Sequence, residues 1–152
     1  MSSVLAAVRP DSWNFPLLVH VVGAMILVGG LLTGASALAF ARGDARFLRL
    51  GYWTLLLVAL PGYIVMRIGG QWIYSESVYD NLPEDPTWIG IGFIVADIGA
   101  LLVLIALVLG AIGVRRLRDG KGTGLLKAAM VIAWVVLAAA LVAVWAMAGK
   151  PD

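Results

Sequence analysis

Residues 14–41, which read NFPLLVHVVGAMILVGGLLTGASALAFA, contain one ionisable side chain, His20, and no other. A helix crosses the hydrocarbon core of a bilayer with about 20 apolar residues, so this stretch alone can span a membrane. Three further runs of the same kind follow at about 48–71, 88–114 and 124–148. They are continuous rather than alternating, and far longer than the roughly 10 residues of a membrane β-strand. Helices are the remaining solution, because in lipid every backbone N–H and C=O must find its partner within its own segment. The expected fold is all-α: a polytopic membrane protein whose residues 1–152 form one transmembrane domain. That domain is a four-transmembrane-helix bundle with an outer loop at about 72–87.

Composition points the same way. The chain is 62% hydrophobic and 13% charged, with mean hydropathy +0.98, whereas about a quarter of residues are charged in soluble domains. Cysteine is absent, which leaves no disulfide framework or thiolate metal site to consider. One histidine cannot build a multi-histidine metal cage within one chain, so no metal ligands are assigned. The first run reads as a retained helix. It lacks a basic leader, and from Phe15 to Phe40 it is too long for the core of a signal peptide, although Ala35, Ser36 and Ala37 follow the most apolar part.

Charge sets the expected orientation. Arg42, Arg46 and Arg49 lie between the first two spans, and Arg115, Arg116, Arg118, Lys121 and Lys127 between the last two. Both connections should be cytoplasmic by the positive-inside rule. The acidic connection with Glu76, Asp80, Glu84 and Asp85 should face outward, together with both extracytoplasmic termini. The net charge of +2 is thereby accounted for by orientation and lipid headgroups, and no nucleic-acid partner is expected. Trp13, Trp72, Trp88 and Trp145 fall near outer ends and Trp53 near an inner end, as interfacial anchors do. Asp85-Pro86 reads as the start of the third helix, with Asp as N-cap and Pro at the first helical position. The Gln71–Asp85 segment, with Trp72, Ile73, Tyr74, Val78 and Tyr79, reads as an amphipathic stretch on the membrane surface or as a docking surface.

Small residues mark the packing seams. Helical steps from His20 give Gly23, Leu27, Gly30, Gly34, Ala37 and Ala41; in the third helix they give Gly92, Ala96, Gly99, Val103, Ala106, Gly110 and Gly113. Small residues let helix backbones approach closely in lipid, so His20 is expected to face another helix. Asp97 lies one residue off the second seam. The fourth helix is expected to serve packing.

Ionisable groups inside a bilayer are rare and need a partner or a role, which singles out His20, Arg67 and Asp97. At 1.5 Å per residue, His20 lies ~10 Å below Trp13 and Asp97 ~13 Å below Trp88. Both, with Arg67, fall in the outer half of the membrane. Tyr63, Arg67, Gln71 and Tyr74 share one face of the second helix. Just below them, Pro61-Gly62 removes a backbone donor and is expected to kink the helix. Two readings stay open. One is a shallow outward-facing pocket lined by His20, Tyr63, Arg67, Gln71 and Asp97, taking a proton, a cation, an anionic headgroup or a quinone-like ligand. The other is an Arg67–Asp97 ion pair, with His20 hydrogen-bonded across helices. Among the five methionines, Met25 and Met66 are placed to offer soft ligands near such a pocket. Haem would need His20 to pair with a methionine or with its symmetry mate. The cofactor is left unassigned.

The segment Leu17-Leu18-Val19-His20-Val21-Val22-Gly23-Ala24, followed by Val28-Gly29-Gly30, resembles the first helix of a widespread family of uncharacterised bacterial four-helix integral membrane proteins. More remotely it is similar to the copper-resistance D-type membrane proteins. The resemblance covers the first spanning segment and the four-span layout. It implies a multi-pass protein of a bacterial-type inner membrane and carries over one residue, His20. No nucleophile–base pair or nucleotide loop is present, so no catalytic residues are assigned. The function expected is that of a non-enzymatic accessory or assembly component, in the lipid bilayer and in a homo-oligomer or larger membrane complex. The alternatives are a small transporter or ligand- or proton-binding protein, and a haem- or quinone-binding electron-transfer subunit.

Overall fold

The computed structural model describes residues 11–76 and 86–149, and every regular element among them is helical. Four helices are long and apolar enough to cross a membrane: α1 (Asn14–Phe40), α2 (Ala45–Ser75), α3 (Thr87–Asp119, with a final 3₁₀ turn at Leu117–Asp119) and α4 (Thr123–Gly149).

Helix α2 is longer than hydropathy alone suggests at both ends. It starts at Ala45 rather than 48 because the Asp44 carboxylate accepts the Arg46 N–H at 2.8 Å and caps the helix before the apolar run begins. At its C-terminal end it continues through Trp72, Ile73 and Tyr74 to Ser75, so the first part of the expected surface segment is the last turn of a spanning helix. Residues 77–85, which include Val78, Tyr79 and Asp85, lie outside the described residues. Pro86 occupies the N-cap of α3, with ψ 144°, and not its first turn; its carbonyl accepts from Ile89 and Gly90.

Between Thr54 and Leu60 the helix is π-helical over Leu55–Ala59, and the Leu60 N–H donates to the carbonyl of Leu55, five residues back. The turn lies immediately before Pro61. A π-turn of this kind takes up an extra residue without ending the helix, and this is how α2 continues past a proline that brings no N–H.

Helices α1 and α2 form an antiparallel hairpin closed by glycine. The facing positions on α1 are His20, Gly23, Leu27, Gly30, Gly34 and Leu38; on α2 they are Gly69, Met66, Gly62, Ala59, Leu55 and Gly51. Each pair contains one glycine. A Cβ on Gly62 would stand 2.5 Å from the Leu27 nitrogen, one on Gly30 2.6 Å from that of Ala59, and one on Gly51 2.6 Å from Leu38 Cγ. Real Cβ atoms do not come so close. The α1 seam is therefore satisfied within the chain, by a complementary series on α2, and Gly62 serves this contact as well as following Pro61.

On α3, Gly92 meets Met147 of α4, Gly113 meets Leu126, and Gly110 receives the ring of Tyr52 from α2 at 2.5 Å from a built Cβ. Gly99 is buried, yet a Cβ there meets nothing within 4 Å. The continuous core lies toward the two basic connections, around Leu31, Leu48, Leu55, Leu107, Leu126 and Leu137. Toward the other end, the buried positions of α1 to α3 are mostly small: Pro16, Gly23, Gly62, Gly69, Gly92 and Gly99. There α2 and α3 are joined mainly by side chains.

Candidate functional site

Those side chains are the polar ones. Tyr63, Arg67 and Tyr74 share a face of α2, and Phe93, Ala96 and Asp97 occupy i, i+3 and i+4 positions on α3. The Arg67 Nη2 donates to Asp97 Oδ1 at 2.9 Å. The guanidinium also lies over the Phe93 ring, with Cζ 5.2 Å from the centroid, a cation–π contact that gains strength away from water. Tyr74 packs its ring edge-on to Phe93 at 5.2 Å between centroids. The Tyr63 hydroxyl donates to the Ala96 carbonyl at 3.0 Å.

The ion pair engages one guanidinium nitrogen and one carboxylate oxygen, with side-chain exposures of 33% for Arg67 and 64% for Asp97. It sits on the flank of the bundle. Gln71 is exposed one turn beyond Arg67 toward the C-terminal end of α2.

His20 belongs to the α1–α2 seam. Its Nδ1 lies 2.9 Å from the Met66 carbonyl oxygen. A carbonyl only accepts, so Nδ1 carries the hydrogen, and in the neutral ring Nε2 is left with its lone pair. Gly69 and Gly70 make this contact possible. A Cβ on Gly69 would collide with the His20 backbone, and one on Gly70 would stand 3.0 Å from His20 Nδ1. Among the described residues, the hydrogen bonds thus divide the expected cluster in two: Tyr63, Arg67 and Asp97 tie α2 to α3, while His20 ties α1 to α2.

Met25 is 69% exposed on the outer surface of α1, and Met66 is half-buried against Gly23. No three His, Cys, Asp or Glu side chains come together among the described residues. Phe93 and the Met66 carbonyl are parts of the arrangement that sequence reasoning missed, while Tyr74, placed on the Arg67 face but not in the expected pocket, packs on Phe93. Phe93 was within reach of it, being one turn from Asp97 on the same face; a backbone carbonyl carries no sequence signal.

At the end of the bundle away from the basic connections the Trp13 indole donates to the Glu76 carbonyl at 3.2 Å, and Phe15 meets Trp72 edge-on at 5.8 Å. Aromatic side chains thus hold the start of α1 to the end of α2, at the level where interfacial aromatics are enriched.

The fold and this cluster define a multi-pass α-helical membrane protein in contact with lipid along all four helices. Comparison with protein-family models, curated proteins and solved structures finds no match.

Proposed function

We propose that this protein is a non-enzymatic component of a bacterial-type inner membrane that associates with another transmembrane segment through the outer halves of α2 and α3. The observation that carries this reading is the exposure of Asp97. Ten residues from the start of α3, it lies ~15 Å along the helix, where an ionised side chain facing hydrocarbon is costly. Its ion pair with Arg67 leaves the Asp97 side chain 64% exposed among the described residues. A neighbouring helix with polar or small residues would cover the pair and turn that cost into specificity. The α1–α2 glycine seam is already occupied, and within the apolar spans this flank offers a partner an exposed ion pair.

Site-specific photo-crosslinking in native membranes tests this reading, with the reactive residue placed at Ile94 or Leu101. Both are exposed and lie on the same α3 face as Asp97. Discrete protein adducts that fade in Asp97→Asn are the expected result. Lipid adducts alone, or protein adducts indifferent to Asp97→Asn, overturn it.

A second reading, a ligand- or proton-binding membrane protein, is favoured by the orientation of His20. Donation from Nδ1 to a backbone carbonyl fixes the tautomer and leaves Nε2 as the basic nitrogen, an arrangement that suits proton exchange and ligation alike. Native mass spectrometry from mild detergent separates the two readings. A retained haem, quinone or metal mass that is lost in His20→Phe supports binding, and a bare chain counts against it.

A further inference from the structure

At the opposite end of the bundle, an open groove of about 430 Å³ runs along the outer surface of the α1–α2 hairpin. Leu32, Thr33, Ser36 and Ala37 form its α1 side, and Phe40, Phe47 and Leu50 close its basic end. From Leu32 to Phe40 is eight residues, a length of ~12 Å along the axis. Arg46 lies one helical turn before Leu50 on the same face of α2, next to Phe47 in sequence, and Arg42 stands in the adjoining turn with φ 44°. Arg42, Arg46 and Arg49 are all exposed, and no ion pair engages them among the described residues. The one acid in the turn, Asp44, has its carboxylate on the Arg46 backbone N–H as a helix cap. The basic end of an apolar groove therefore lies beside net positive charge, three arginines against one aspartate.

We propose that this groove holds one acyl chain of an anionic phospholipid, whose phosphate is bound by Arg46 and Arg42, in the leaflet into which the basic connections project. The charge complementarity selects this occupant over a second copy of the chain. A copy inserted in the same orientation would carry its own arginines at the same depth, and like charges would meet at the basic end. Phe40 and Phe47, 75% and 51% exposed, also project where a second helix would need small residues to approach. A single acyl chain is thin enough to lie beside these rings, and a phosphate is an anion that a guanidinium can bind through charge-assisted, bidentate hydrogen bonds. This site is independent of the partner surface around Asp97.

The test is native mass spectrometry of the full chain titrated with phosphatidylglycerol or with phosphatidylcholine of identical acyl chains. Preferential retention of phosphatidylglycerol is expected. An arginine near an anionic headgroup contributes roughly fivefold in affinity, so Arg42→Asn with Arg46→Gln should cut retention by roughly twenty-fivefold, to the phosphatidylcholine level. Asn at 42 suits the left-handed backbone, and both positions are exposed, so the fold is kept. Ala37→Leu, which fills the groove without touching charge, should weaken retention as well. Arg115→Gln with Arg118→Gln in the other basic connection should leave it unchanged. Equal retention of the two lipids, an equal loss from both pairs of arginine substitutions, or a dimer peak that Ala37→Leu abolishes overturns the proposal.

Discussion

Gly30 of α1 faces Ala59 of α2 so closely that a methyl group on Gly30 would stand 2.6 Å from the Ala59 amide nitrogen and 2.8 Å from its Cα. Backbone cannot retreat as a flexible side chain can, so this contact sets the distance between the two helices. Ala59 is also the last residue of the π-turn, and the close approach and the irregular turn occur at the same level.

Gly30→Ala and Gly62→Ala should each separate the hairpin and lower stability by about 1–3 kcal/mol, as overpacking of a close-packed interior does. Gly99→Ala is the matched control. A Cβ there meets nothing within 4 Å, and a helical Gly→Ala change in open space should be neutral or stabilise by roughly 0.4–1 kcal/mol. Thermal unfolding in one detergent, followed by circular dichroism, reads all three. Equal effects at Gly30 and Gly99 would refute the packing account.

The Arg67–Asp97 pair should show non-additivity. Asp97→Leu strands the guanidinium beside Phe93 and should destabilise by about 1–2 kcal/mol, below the range for fully buried pairs because both groups are partly exposed. Adding Arg67→Met should recover most of that loss, since replacing both partners by apolar groups removes the stranded charge. Unfolding of the two single variants and the double variant closes the cycle, and simple additivity would count against the pair as drawn.

His20 should display one tautomer. Nitrogen-15 spectra of the labelled imidazole in detergent micelles are expected to show the hydrogen on Nδ1 in the neutral ring, because that nitrogen faces the Met66 carbonyl. Gly70→Ala places a methyl 3.0 Å from Nδ1 and should release this preference at a stability cost of about 1 kcal/mol or less. A hydrogen on Nε2 in the unaltered protein would contradict the assignment.

The turn joining α1 to α2 places Arg42 at φ 44° and Gly43 at φ 90°. A side chain at Gly43 meets nothing within 4 Å, so Gly43→Ala isolates backbone strain and should cost about 1–2 kcal/mol. Arg42→Gly should be neutral or mildly stabilising for the same reason. Both are measured by unfolding as above, and no loss in Gly43→Ala would mean that the turn readily takes another form.

The sequence by itself determined the class and number of spans, because hydropathy is additive along the chain and a bilayer accepts only segments of a certain length. It also marked His20, Arg67 and Asp97, since ionisable groups stand out against apolar runs whatever the fold. Which of them meet was decided by tertiary structure. Arg67 reaches Asp97 and Phe93 only because long side chains bridge α2 and α3 at this level, while His20 turns to a backbone carbonyl that no residue pattern encodes. The glycines divide in the same way. The stripe from Gly23 to Gly34 was legible by periodicity, but Gly51, Gly62 and Gly69 become its partners only when the hairpin register sets a glycine opposite a larger residue at each level. Gly99 shows the converse, since it lies on the α3 stripe and is buried, yet a Cβ there would meet nothing within 4 Å. Periodicity records which face a residue takes, and only the packed neighbours decide whether that face is filled.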